Sequence, residues 1–386
     1  MPAGRACPSC SSSIAIKPKD KTMRNEDHAV DAHYPHIHDW RSATKVSWIC
    51  SLCLAPVIIW SVALYGLSAA LVWLASIGSA LISQLLVDAA FKRFTVVNGS
   101  FLLTGILVAT TMPPTIAPFI PAASSAFAIL IVKGFFGGNG KNWMNPALAG
   151  AAFAYVNWPA AMRDFVLPRA LSGVDGLSAV TPLTLARDIG VSGQTRVMEA
   201  LRQSGYPLSA LDSSLTGFLN DAIFLPLGAR LPEGYMDIAL GLKPGTLGES
   251  ALLVLLAGSI VLISLKLIKL EIPLAMIAGF ALLARIFGTG LPGEELFRGD
   301  VLYALGSGGF LLAAFFMATD PVSSPVDRSI AALYGLAIGV LCYAFRRWGS
   351  YPEGVCFAVL IMNVISPTLE RRLEPLLRPR AERTAA

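Results

Sequence analysis

The sequence predicts an all-α polytopic membrane protein, with about ten transmembrane helices in two inverted five-helix repeats. Three observations support this. Hydrophobic residues make up 54% of the chain and charged residues only 14%, against about 25% charge in a soluble domain. Apolar segments fill both ends of the chain and leave one long polar interval between them. A residue pattern of the first block also returns in the second.

The elements follow in order. Residues 1–45 are polar, with no apolar segment of the signal-peptide kind before the first span. Apolar segments stand at 46–65, 67–87, 97–112, 116–136 and 143–162, then at 250–265, 272–288, 301–318, 329–345 and 352–368. Several are shorter than the ~20 residues of a straight spanning helix. Others are interrupted, at Pro113-Pro114, Pro118, Pro121 and Gly134. Broken segments at membrane depth are tolerated only where protein encloses them, which suits a transporter-like or cofactor-holding core. The expected division is a tail (1–45), a first membrane repeat (46–162), an interval (163–248), a second repeat (249–368) and a second tail (369–386).

The repeat rests on Phe101-Leu102-Leu103 with Ala109-Thr110, which return as Phe310-Leu311-Leu312 with Ala318-Thr319. Trp158-Pro159 is answered at nearly the same offset by Ser366-Pro367, and the glycine-rich turn near Gly138 by Gly349. Five spans per repeat put the two halves in opposite orientation. Lys and Arg set the orientation. With the N-terminus inside, the short outer connections hold only Arg285, Arg298, Arg346 and Arg347 of the 30. Both termini are then cytoplasmic and the long interval lies outside. The net charge of +5 bears on orientation and gives no reason to expect nucleic acid.

Within the interval, Asp175-Gly176-Leu177-Ser178-Ala179-Val180-Thr181-Pro182 is the notable stretch. Pro182 pushes the residue before it out of helical conformation, so the Thr181 hydroxyl is expected on an extended, accessible turn. Glu249, Asp320 and Glu353 stand beside glycine or proline breaks at span ends. Ionisable groups there are candidates for ion coupling, with helix capping as the alternative. Asp88 and Glu271 read as interfacial.

Other patterns do not hold. In the Gly137–Asn142 turn, Phe135 and Asn142 stand where a phosphate loop needs glycine and Ser or Thr. Cys7 and Cys10 with His28, His33, His36 and His38 lie in a polar tail without a core to fold on metal, so no metal site is expected. Cys50, Cys53, Cys342 and Cys356 fall within spans and read as small apolar residues.

Six motifs occur in a set order: Pro35-His36-Ile37, Gly140-Lys141-Asn142 with Asn145-Pro146-Ala147, Asp175 to Pro182, Gly245 to Ser250, Met317 to Ser323, and Tyr351 to Val355. Over about residues 34–370 the chain resembles the family of the D subunit of the Rnf electron-transport complex, whose homologue is the B subunit of the sodium-pumping NADH:quinone reductase. The resemblance implies FMN held covalently by a phosphoester to Thr181, with Asp175 and Ser178 at matching places. It leaves room for a second flavin. In that family a flavin transferase attaches the FMN from FAD, on the outer side of the membrane, and the resemblance implies a bacterial cytoplasmic membrane here. The family pattern before the threonine is Ser/Thr-Gly-Ala, whereas here Ala179-Val180 follow Ser178. The implied function is electron relay between a ferredoxin or NADH side and other redox subunits, coupled to Na⁺ or H⁺ movement. Implied partners are the other Rnf-type subunits, the transferase and membrane lipid. A channel or carrier without redox activity is the alternative class, since inverted repeats with broken helices also suit a pore.

Overall fold

The computed structural model describes residues 43–136, 142–172, 178–189, 197–203, 209–288, 297, 299–349 and 354–377. These residues are predominantly helical. Three helices are long and apolar enough to cross a membrane: Thr44–Tyr65, Leu67–Ala90 and Arg328–Trp348. Ser100–Thr110, Phe119–Phe135 and Glu249–Ser264 are shorter apolar helices. The remaining expected spans are Pro146–Asn157, Glu271–Phe287, a broken pair at Val301–Met317, and Val355–Leu377.

Glu271–Phe287 and Arg328–Trp348 pack very closely. A Cβ at Gly335 would stand 2.4 Å from the Ile272 carbonyl oxygen, and one at Gly339 2.3 Å from that of Met276. Two glycines four residues apart let backbones approach where no hydrophobic effect drives helices together.

The segment expected as one helix at 301–318 is two. Val301–Gly306 ends before Ser307, and Gly308 and Gly309 take positive φ of 74° and 62°. Phe310–Leu312 then opens a second piece that continues as a π-type turn to Met317. Ser100–Thr110 is likewise entered through a glycine at positive φ, Gly99 at 66°. Glycine occupies this region without the Cβ penalty of other residues.

Ser100–Thr110 and the piece ending at Met317 each run into a break whose carbonyls are satisfied from a distant part of the chain. Leu247 N–H donates to Met112 O (3.0 Å) and Gly248 N–H to Thr110 O (2.8 Å). Asn145 Nδ2 donates to Met317 O (3.0 Å), while Asn145 Oδ1 caps its own helix through Ala147 N–H (3.0 Å). Unpaired carbonyls at membrane depth cost several kcal/mol, so these contacts are what allow the breaks. The proline correspondence does not extend to the last helices: Pro159 follows a helix that ends at Asn157, whereas Pro367 lies inside Val355–Leu377.

Candidate functional site

Thr181 is the N-cap of the helix Pro182–Ile189. Its Oγ1 accepts from Thr184 N–H at 3.2 Å and lies 2.9 Å from Thr184 Oγ1, and its carbonyl accepts from Leu185 N–H at 2.8 Å. Pro182 is suited to the first helical position, where its missing N–H would have no intrahelical partner. The expectation of an accessible hydroxyl is corrected here, because Thr181 is only 4% exposed. Capping turns the oxygen towards its own helix, and Leu183 draws the turn into a small apolar cluster with Val197, Met198, Leu201, Ile238 and Tyr303.

Ser178 stays exposed. It forms an antiparallel bridge with Val166 and its hydroxyl donates to Asp164 Oδ1 at 3.3 Å. Asp175 and Glu353 lie outside the described residues, as do the tail cysteines and histidines.

The short helix Val301–Gly306 connects this turn to a buried polar cluster. Asp300 caps its start through Tyr303 N–H (3.0 Å), and Tyr303, fully buried, donates its hydroxyl to Pro182 O at 2.8 Å. Two buried cations hold its C-terminal end, where the helix dipole is negative. Arg346 donates to Ala304 O (2.5 Å) and Ser307 O (2.9 Å) and lies over the Phe280 ring. Lys243 Nζ donates to Gly306 O at 3.0 Å.

Lys243 also pairs with Glu249 at 3.4 Å, with side chains 1% and 5% exposed. The Glu249 carboxylate accepts from Thr246 Oγ1 (3.1 Å) and Gly308 N–H (3.0 Å) as well. Glu249 therefore has an ammonium beside it already, and it borders a cavity of about 30 Å³ lined also by Thr111 and Gly309.

Asp320 is placed elsewhere. It accepts from Ser323 Oγ at 3.0 Å and borders a cavity of about 100 Å³ with Thr319, Lys133, Asn142 and Asn145. That volume holds several waters. Lys133 is buried in its wall, donating to Gln84 Oε1 (2.9 Å) and Ser100 Oγ (2.5 Å). Gln84 Nε2 donates onward to Asp88 Oδ1 at 3.0 Å. Glu249 and Asp320 thus line separate cavities.

Sequence reasoning missed Lys243, Tyr303 and Arg346. Lys243 offered one signal, as a cation flanked by leucine, proline and glycine just before a motif. Arg346, expected in a short outer connection, lies in the last turn of Arg328–Trp348 and is buried. Tyr303→Phe removes the donor to Pro182 and is expected to loosen the Thr181 turn by about 1 kcal/mol. Limited trypsin digestion should then cut faster at Arg169 or Arg187, with no change in cleavage of the long helices.

These features define a predominantly helical membrane protein built around broken helices, with a threonine-capped turn tied to a buried ion pair. The family model described as NQR2, RnfD, RnfE matches residues 30–377, and the chain belongs to that family. It is 32% identical over 343 residues to the D subunit of the proton-translocating ferredoxin:NAD(+) oxidoreductase complex of Clostridium ljungdahlii, covering 89% of this chain and 93% of the relative. It is 34% identical over 355 residues to the D subunit of the ion-translocating oxidoreductase complex of Stutzerimonas stutzeri, covering 88% and 92%. It is 30% identical over 350 residues to the D subunit of the Na(+)-translocating ferredoxin:NAD(+) oxidoreductase complex of Acetobacterium woodii, covering 90% and 94%.

Proposed function

We propose that this chain is the membrane D subunit of an ion-translocating oxidoreductase complex, carrying FMN as a phosphoester on Thr181 and relaying electrons between a ferredoxin or NADH side and the other redox subunits. The observation that carries the flavin reading is Thr181 at a helix N-terminus, with Thr184 N–H and Oγ1 beside its hydroxyl oxygen. The residues fit the group. A phosphate ester at this oxygen sets negative charge on the positive end of a helix dipole, beside the Thr184 N–H that already faces it. In attachment the Thr181 oxygen replaces AMP on the flavin phosphate of FAD, and the hydroxyl proton is released. With Thr181 buried, the turn and its Leu183 must lift from Tyr303 and the rest of the small apolar cluster for the flavin transferase to reach the hydroxyl.

When bound, the flavin supplies the redox chemistry. Thr181 would tether it through the ester and Thr184 would donate to the ester oxygens, while Tyr303 fixes the turn to Val301–Gly306. That short helix links the tether to Lys243 and Glu249. Asp320, in the larger cavity, is the carboxylate open to a hydrated cation. Glu249 and Lys243 form an internal pair whose ammonium such a cation would have to displace. Relatives of similar identity are named for protons in one case and for sodium in another, and the choice between these ions is left to the measurement below.

Inverted repeats of five spans fit this scheme. Supporting them are the positive-φ glycines before Ser100–Thr110 and Phe310–Leu312 and the two breaks that are each satisfied from distant chain. The larger cavity also takes Ser100 and Thr104, from the start of one short helix, with Thr319 from the end of the other.

Three experiments test the proposal. Co-expressed with the transferase and denatured, the chain should give a fluorescent band under ultraviolet light; a dark band would leave the channel or carrier reading. Glu249→Gln and Asp320→Asn should keep covalent FMN and lower ion-dependent turnover per flavin at varied sodium and proton concentration. Unchanged turnover in both would reduce the carboxylates to structural roles. For orientation, with both termini cytoplasmic and 163–248 outside a bacterial inner membrane, Ser213→Cys should react in intact cells with an impermeant thiol reagent. Labelling only after lysis would reverse it.

A further inference from the structure

The helix Ala210–Leu219 faces the protein with its polar side. Asp212, Thr216 and Asn220 form its buried stripe, at the spacing of one helix face. The Asp212 carboxylate accepts from Gly234 N–H (2.6 Å) and Asp237 N–H (3.0 Å). The N-cap Ser209 bonds through its own N–H to Asp237 Oδ2 at 3.1 Å. Asn220 donates to Leu231 O (3.0 Å) and accepts from Leu231 N–H (2.7 Å).

A second face carries Leu211, Leu215 and Phe218, which are 59%, 38% and 68% exposed, and it continues into exposed Ile223, Leu225 and Leu227. Ser213 and Gly217 form a third face of small residues. A contiguous apolar patch of this kind marks an interaction surface.

We propose that the Leu211–Phe218 face lies in lipid at the bilayer boundary on the Thr181 side, a contact of this chain with the membrane beyond its spans. Two observations favour lipid over a protein partner. The first is continuity with a spanning surface. Asp237, which holds the start of this helix, belongs to Tyr235–Leu240, whose last carbonyl accepts the indole N–H of Trp60 at 3.0 Å. Trp60 is itself exposed, near the end of the span-length helix Thr44–Tyr65, and tryptophan concentrates where a membrane meets water.

The second is size and charge. From 210 to 224 the helical backbone reaches about 22 Å, short of the ~30 Å hydrocarbon core. Between Leu211 and Leu227 the only acidic or basic side chains are Asp212, turned inward, and Asp221. One flank bound to protein, one apolar and one small and polar suit a helix lying in the interface plane. The inference rests on the membrane placement of the chain and not on the flavin.

The test places p-benzoylphenylalanine singly at Leu215, Phe218 and Ser213 of the full chain, irradiates native membranes and reads intact mass. Phospholipid adducts are expected at 215 and 218 and none at 213. A polypeptide conjugate at 218 would mean that a protein covers this face, and the absence of any adduct would mean that water does. Either result overturns the proposal, as would equal lipid adducts at 213. Where a replacement lowers accumulation of the chain, the same probe at Leu211 or Leu227 reads the same face. Adducts unchanged in a Thr181→Val background separate this result from the fate of the flavin reading.

Discussion

Thr181→Val is expected to abolish covalent flavin while leaving the chain folded in the membrane. Valine keeps the branched shape and removes the only atom through which an ester can form. The structural penalty is the lost cap on Pro182–Ile189, about 1 kcal/mol. That is small beside the buried membrane core, in which Leu54, Phe280, Phe310 and Tyr334 are fully enclosed. Thr181→Ser retains both hydroxyl and cap, so it should restore part of the flavin. Intact mass reads both variants: the wild type should carry FMN less one water, the valine variant nothing. A flavin mass on the valine variant would move the attachment to another residue.

The second large effect is expected at Lys243. Its ammonium is buried between Glu249 and the Gly306 carbonyl, and Lys243→Met leaves the Glu249 carboxylate with only Thr246 and Gly308 as donors. Removing one partner of a buried pair costs about 3–5 kcal/mol. The double variant Lys243→Met/Glu249→Gln removes the stranded charge and keeps an acceptor for Gly308 N–H, so most of the loss should return. Resistance of purified protein to thermal aggregation reads the three states. If the single and double variants lose equally, the pair is not what Lys243 serves. Glu249→Gln alone strands the ammonium instead, and for that reason its turnover is best expressed per flavin.

Much of this architecture was legible in the chain. The apolar segments located most helices within a few residues, because burial in lipid demands long apolar runs whatever the packing. The break at Ser307–Gly309 was hidden inside an apolar segment, since two adjacent glycines raise little polarity. The Thr181 turn was legible as a non-helical residue before proline. Its burial was not, because that depends on Leu183 and Tyr303, which are 120 residues apart in the chain. The same distance hid the partners of Glu249: local sequence shows a carboxylate beside glycine, and only the fold brings in Gly308. Arg346 reads as a topological charge in sequence, yet in space it satisfies carbonyls of a helix that ends forty residues earlier.

The central assignment rests on one oxygen atom, and a peptide map addresses it directly. Trypsin releases Ala170–Arg187, which contains Ser172, Ser178, Thr181 and Thr184. From chain co-expressed with the flavin transferase, fragmentation of this peptide should place the FMN phosphate on Thr181 and on no other hydroxyl. Flavin on Ser178 or Thr184, or an unmodified Ala170–Arg187 from protein that fluoresces after denaturation, would contradict it.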